Sequence, residues 1–175
     1  MDLITETDRL LIEKANLTDA PFFLELLTSP NWLQYIGDRG ISTEEDAQEY
    51  IQKSLLGSYH KHGYGLYKIS LKSTKLPIGI TGFVKRDYLD HADIGFAILP
   101  KYGRKGYTFE ASEAIMAYGK VHLKLHPILG ITTEENTASK SLLVKLGLNA
   151  IGEISPEKAN GPLLLYSNEG VTLYA

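Results

Sequence analysis

The stretch Ile94-Gly-Phe-Ala-Ile-Leu-Pro-Lys-Tyr-Gly-Arg-Lys-Gly-Tyr-Thr108 decides how this chain is read. Its first half is an apolar strand that Pro100 stops, because proline offers no N–H to a sheet ladder. A turn from Gly103 to Gly106 then leads directly into a helix. Free N–H groups at such a helix start, with the dipole behind them, make a place for an anion. Lys101, Arg104 and Lys105 add three positive charges within five residues, although 18 Lys+Arg against 21 Asp+Glu leave the whole chain at −3. Charge is concentrated where the backbone already favours phosphate; the plainer alternative is a strand–helix turn with solvated basic residues.

Two familiar phosphate loops are excluded. A Walker A loop is longer than Gly103 to Gly106 and carries lysine where Tyr107 stands, and a dinucleotide fingerprint needs three glycines where only two are present.

Working outward, Ala92 to Leu99 closes a run of three strands that begins with Tyr64 to Leu71 and Pro77 to Lys85. The turn signals Lys72-Ser73-Thr74-Lys75 and Asp87-Tyr88-Leu89-Asp90 are short, so these strands are expected to be antiparallel neighbours. Further upstream, Thr7 to Glu13 reads as a first strand. Thr18 opens a helix whose apolar stripe is Phe22, Phe23, Leu26 and Leu27, and Ser29-Pro30-Asn31 breaks it. Ser42 with Glu45 reads as a capping box, and Ala47, Ile51 and Leu55 carry a second helix to about Leu56. Downstream, Ala111, Ala114, Ile115, Tyr118 and Val121 mark the buried face of the helix after Gly106. Ile128 to Thr133 is a short apolar strand. Asn136 opens a helix with Ala138, Leu142, Leu143 and Leu146 inward, and Gly147 stops it. Leu148 to Ile154 and Pro162 to Tyr166 are strands, and Val171 to Tyr174 is expected to continue the last one. The pattern is that of one mixed α/β (α+β) domain over residues 1–175.

A chain of 175 residues with 43% hydrophobic and 22% charged residues has the make-up of a soluble fold, which excludes a disordered or collagen-like protein. It has no cysteine, hence no disulfide framework, thiolate nucleophile or Cys-ligated metal. Met1-Asp2-Leu3-Ile4 runs at once into Thr, Glu and Asp, so no signal peptide is expected. No apolar run approaches the roughly 20 residues that cross a bilayer. The expected location is the cytoplasm, with neither membrane nor nucleic acid as partner.

Three blocks resemble the GNAT superfamily of N-acetyltransferases, and within it the ribosomal-protein alanine N-acetyltransferase branch. Thr7-Asp-Arg-Leu-Leu-Ile is similar to that branch's T-E-R-L-x-L-R opening. Asp93-Ile-Gly-Phe-Ala-Ile-Leu-Pro followed by Gly106-Tyr-Thr-Phe-Glu-Ala111 resembles its E-I-G-Y…P…G-Y-A-T-E-A core. Asn136-Thr-Ala-Ser139, continuing to Lys145-Leu-Gly-Leu148, resembles its N-x-x-S…K-L-G-F helix. The chain departs from the acyl-CoA signature Q/R-x-x-G-x-G/A, since Gly103 holds the Q/R position and Thr108 the last small one. Arg104, next in the chain, is the expected substitute for the missing side chain.

The resemblance implies a mixed, largely antiparallel sheet flanked by helices on both faces, with a splayed strand pair binding acetyl-CoA as co-substrate and no metal. Main-chain groups of Ala97, Ile98 and Leu99 would bond the pantetheine arm as an added strand would. The turn of Gly103, Arg104, Lys105, Gly106, Tyr107 and Thr108 would take the diphosphate. Asn136 and Ser139 would complete the site, Asn136 on the pantetheine amide and Ser139 as proton donor to the departing thiolate. Asp93 is the expected base or amine-orienting carboxylate, with Asp87, Tyr64 and Tyr67 behind it. Glu110 is read as compensating a helix dipole. Trp32 and Tyr35 would line the acceptor pocket, or pack as aromatic core under a loop. Gly95 marks a bulge or close approach, or simple packing. The implied reaction is direct transfer of acetyl to a primary amine, on a small molecule or a peptide N-terminus. The alternative is a catalytically silent acyl-CoA-binding or sensor module.

Overall fold

In the computed structural model, which describes residues 2–170, the chain opens with a hairpin, β1 (Leu3–Glu6) and β2 (Leu10–Glu13). The single strand expected over Thr7 to Glu13 is therefore shorter. Thr7 turns the chain, its N–H donating to the Leu10 carbonyl at 3.0 Å and its hydroxyl accepting the Leu10 N–H at 3.1 Å. A 3-10 turn at Leu17–Asp19, capped by Asn16, then leads into α1 (Ala20–Leu27). Pro30 begins a new helix, α2 (Pro30–Tyr35), because its missing N–H falls where a helix has no acceptor anyway.

The next cap is Thr43 rather than Ser42. The Thr43 hydroxyl accepts the Asp46 N–H at 3.1 Å, and the Asp46 carboxylate accepts the N–H groups of Ser42 at 2.9 Å and Thr43 at 3.0 Å. Helix α3 (Glu44–Tyr50) does not end near Leu56. It passes through a π-helical segment (Ile51–Leu56) into α4 (Gly57–His62), and stops at Gly63, whose φ of +77° suits a residue without a side chain.

Among the described residues the sheet has eight strands in the order β1-β2-β3-β4-β5-β6-β8-β7. The remaining strands are β3 (Leu66–Leu71), β4 (Pro77–Val84), β5 (Asp93–Ile98), β6 (Leu129–Thr132), β7 (Asn149–Ile154) and β8 (Leu163–Ser167). Every neighbouring pair is antiparallel except β5–β6. The meander β3–β4–β5 is as the sequence predicts. The continuation expected over Val171 to Tyr174 lies outside the described residues.

Helices α5 (Tyr107–Val121) and α6 (Thr137–Lys145) cover one face, where Ala111, Ile115 and Leu143 meet Leu10, Ile12, Ile69, Phe83 and Ile94. The other face is covered by α1, α3 and the π segment, with Phe22, Phe23, Leu26, Ala47, Ile51 and Leu55 against Ile80 and Leu99. Each large side chain so buried contributes roughly 1.5–3 kcal/mol. The stripe on α5 is Ala111, Ser112, Ile115 and Gly119, and Val121 is 56% exposed. A residue advances about 100° around a helix, so a stripe centred on Ile115 leaves Val121 on the flank. Ala138, expected inward, is exposed.

Gly119 lets α5 approach the sheet. A Cβ there would lie 2.4 Å from the ring of Phe83, a fully buried residue with nowhere to move. Gly119→Ala should destabilise the fold by about 1–3 kcal/mol in chemical denaturation, and adding Phe83→Leu should recover part of that loss. A Gly119→Ala protein of unchanged stability would contradict the packing described.

Candidate active site

β5 and β6 are parallel but share a single pair, Asp93 opposite Leu129, beside which the Leu129 N–H donates to the Ala92 carbonyl at 3.0 Å. Beyond that vertex they part. β5 stays paired with β4 from Val84↔Asp93 to Gly79↔Ile98, and β6 stays paired with β8 from Leu129↔Ser167 to Thr132↔Leu164. The inner edges of two strands are thereby left without each other.

Successive strand residues direct their main-chain groups to opposite edges. The Leu99 N–H donates to the Ile78 carbonyl at 2.9 Å, and the Leu99 carbonyl accepts the Tyr102 N–H at 2.9 Å. Both polar groups of Leu99 are therefore occupied, and Ala97 shares its orientation toward β4. The Ala92 carbonyl points to β6, so Ile94, Phe96 and Ile98 share its edge. The main-chain groups of Phe96 and Ile98 thus face the cleft, whereas those of Ala97 and Leu99, which the sequence reading also placed there, face β4. Alternation along the strand carries that signal once one bond fixes its phase. Gly95 is a packing glycine: the β4–β5 register is unbroken, and a Cβ there would meet Leu66 Cδ2 at 3.1 Å.

The turn after β5 stands at the open end of the cleft. Gly103 donates to the Pro100 carbonyl at 3.1 Å, Arg104 and Gly106 hold left-handed φ angles of +59° and +78°, and no side chain caps α5. The first intrahelical bond runs from the Glu110 N–H to the Gly106 carbonyl at 3.1 Å. The N–H groups of Tyr107, Thr108 and Phe109 therefore precede the ladder and have no acceptor within the helix. Of the three basic residues, Lys101 is drawn to Glu25 on α1 at 2.9 Å, whereas Arg104 and Lys105 form no ion pair among the described residues.

On the other arm, α6 begins just beyond β6. Asn136 caps it, its Oδ1 accepting the Ser139 N–H at 3.1 Å, while the half-buried Ser139 hydroxyl has no hydrogen bond among the described residues. Asp93 lies at the vertex and is 1% exposed. Ile94 faces the α5–α6 core, so Asp93 faces the opposite side of the sheet, and Ser139 and Asp93 belong to opposite faces of the cleft. Arg86 holds both oxygens of Asp93, with Nε at 2.8 Å and Nη2 at 3.2 Å. Burial pushes the Asp93 carboxyl up, opposed by the Arg86 guanidinium.

Burial also pushes Tyr64 up, and Tyr67 up to about 12, so both phenols stay protonated at neutral pH. Trp32 is core, 4% exposed among Phe22, Phe23, Leu27 and Leu99, with its indole N–H unpartnered. Tyr35 is half-buried, and the neighbouring Leu33 and Ile36 are exposed apolar residues that the sequence did not single out. Two open surface depressions, of about 370 and 240 Å³, lie along α3–α4, and no residue of β5, β6 or the 103–108 turn lines either.

Residues 9–149 match the family model described as an acetyltransferase (GNAT) domain. The chain belongs to the GNAT acetyltransferase family. As in that family, it transfers acetyl from acetyl-CoA to an amine. It is similar to the uncharacterized N-acetyltransferase YnaD of Bacillus subtilis (strain 168), 31% identical over 146 residues that make up 83% of this chain and 82% of the relative. A GNAT-family acetyltransferase structure from Bacillus anthracis superposes with a TM-score of 0.77 at 27% identity, covering 95% of this chain and 97% of that one. The RimL ribosomal L7/L12 alpha-N-protein acetyltransferase in complex with coenzyme A gives 0.78 at 16% identity, covering 95% and 97%. That last likeness is one of fold. Among the described residues of this GNAT protein no helix is long and apolar enough to cross a membrane, and no group of three or more His, Asp or Glu could hold a metal ion.

Glu110 does more than complement a dipole. It accepts the Thr7 hydroxyl at 2.5 Å, the Arg9 N–H at 3.2 Å and Arg9 Nε at 2.7 Å, tying the β1–β2 turn to the start of α5. Partial burial pushes its carboxyl up, but these bonds from Thr7 and Arg9 outweigh that and hold it below the ordinary range. A depressed carboxylate stabilises the fold above its unfolded pKa, near 4.5, and loses that contribution as pH falls through its folded value. Wild type should therefore exceed Glu110→Gln by about 1 kcal/mol at pH 7, and the gap should close below about pH 4.5. A gap independent of pH would contradict this assignment.

Proposed function

We propose that this enzyme acetylates the α-amine at a peptide N-terminus, with one acetyltransferase domain spanning residues 1–175 and acting in the cytoplasm. The observation that carries the reading is the parting of β5 from β6 after one pair. An extended chain of amides can enter there and bond the exposed edge, as a β-strand would. Acetyl-CoA supplies the thioester and, in its pantetheine arm and diphosphate, an amide-bearing chain ending in an anion.

The residues present fit that shape. Phe96 and Ile98 offer main-chain donors and acceptors along one arm, with Ala97 and Leu99 supplying the packed wall behind them. Gly103, Arg104, Lys105, Gly106, Tyr107 and Thr108 supply the anion end, where Arg104 takes the place of the missing Gln or Arg. Asn136 bonds the pantetheine amide with whatever capacity its cap leaves. The Ile98 N–H is placed to receive the negative charge that develops on the thioester oxygen.

The nucleophile approaches from the α1–α4 face, past Tyr35, Leu33 and Ile36, with Trp32 supporting them from the core. Its nitrogen bonds to the acetyl carbon as the carbon–sulfur bond breaks, the amine's surplus proton passes to water, and the thiolate takes a proton through Ser139 on the other face, whose hydroxyl is reprotonated from water in the same step. Asp93, with both oxygens engaged by Arg86, orients the amine rather than taking its proton. That constraint favours an α-amine. With a pKa around 7.7–8.0 it costs about 1 kcal/mol or less to neutralise at pH 7.4, whereas a lysine near 10.4 costs about 4 kcal/mol. An α-amine is also the acceptor named for the RimL protein whose fold this chain shares.

The test is calorimetric titration with acetyl-CoA, followed by thiol release with peptides whose N-termini are free or blocked. Turnover should require a free N-terminus, and a blocked peptide containing lysine should be inert. Ser139→Ala should lower kcat about 10-fold or more and shift its pH dependence. Preference for the lysine peptide would refute the acceptor, and binding without turnover on any amine would favour an acyl-CoA-binding module.

A further inference from the structure

Arg9 leaves the β1–β2 turn and crosses to the turn at the start of α5, about a hundred residues away in sequence. Its Nη2 lies 2.6 Å and its Nε 2.7 Å from Glu110 Oε2, its Nη1 donates to the Lys105 carbonyl at 3.2 Å, and its guanidinium carbon stands 4.5 Å from the centre of the Tyr107 ring. One planar side chain thus touches three parts of a single turn. As an ion pair with a half-exposed arginine it would contribute little to stability. Its contact with the Lys105 carbonyl has a different consequence. The peptide unit is planar and trans, so a carbonyl drawn toward Arg9 sends the N–H of Gly106 the opposite way. The turn needs such restraint: Arg104 holds a φ of +59°, a region that side chains other than glycine's occupy at a cost. Glu110 in turn fixes the guanidinium, helped by Thr7.

We propose that Arg9 is a positioning residue for acetyl-donor binding, holding the 104–108 turn so that its N–H groups converge on the donor's diphosphate. This rests on the reading above that the turn takes the diphosphate. Preorganised donors bind an anion without spending part of the interaction on ordering the loop, so the effect is confined to donors that carry the diphosphate.

Two donors separate the possibilities: acetyl-CoA, and S-acetylpantetheine, which has the same thioester and pantetheine arm without diphosphate or nucleotide. Dissociation constants for both are measured, by calorimetry and by NMR titration, on wild type, Arg9→Ala and Arg9→Lys, each with its thermal unfolding. Arg9→Ala should weaken acetyl-CoA about 10-fold or more and leave S-acetylpantetheine within about 2-fold. Arg9→Lys keeps the charge but not the fork that spans Glu110 and Lys105, and should recover only part of the loss. Equal weakening of both donors, or unchanged acetyl-CoA binding in a folded Arg9→Ala protein, would overturn the proposal. If wild type itself binds both donors equally, the diphosphate reading fails first, a result distinct from either of these.

Discussion

The pairing of Asp93 with Leu129 is where two sub-sheets meet, and the rest of the site follows from there being one such pair. Five strands lie on one side and three on the other, each arm of the cleft laddered to its outer neighbour along its length. The inner edges face each other across a gap, a costly arrangement in a sheet interior unless something bonds those edges. A protein ordinarily hides or blunts a free strand edge because any extended chain can pair with it. Here the edge is kept, and the two helices that follow its arms, α5 and α6, bring their N-termini to the same open end.

The proposed reaction uses both faces of this one slot. Because strand side chains alternate, Asp93 belongs to the face covered by α1 and α3, and Ser139 reaches the cleft from the α6 side. In the proposed reaction, an amine approaching from one side and a thiolate protonated from the other need no side chain to move between them. At the vertex, the partly exposed Arg86 holds the buried Asp93 carboxylate. The pair lies within the five-strand arm, tying the start of β5 to the loop after β4, and removing Arg86 would leave a buried carboxylate unpaired.

Much of this was legible in the chain. The three-strand meander, the strand–turn–helix after Leu99 and the Asn136 cap are local patterns, and local patterns survive folding when the core agrees with them. The failures have physical causes too. Thr7 looked like strand but turns the chain, because its hydroxyl satisfies the Leu10 N–H. The helix expected to run to about Leu56 continues through a π segment to Gly63. Val121 matched a 3.6-residue period but falls outside the arc set by Gly119 against Phe83. The contacts of Arg9 with Lys105 and Glu110 span about a hundred residues, and no spacing rule reaches that far.

The central claim is that the parted edge of β5 receives the acetyl donor through its main chain. Residue-resolved amide hydrogen exchange with and without acetyl-CoA tests it most directly. The N–H groups of Phe96 and Ile98 should exchange at least 10-fold more slowly with the donor bound, since each would gain a hydrogen bond. The Leu99 N–H, already bonded to Ile78, should change little. Saturating donor that leaves Phe96 and Ile98 unprotected would contradict the account.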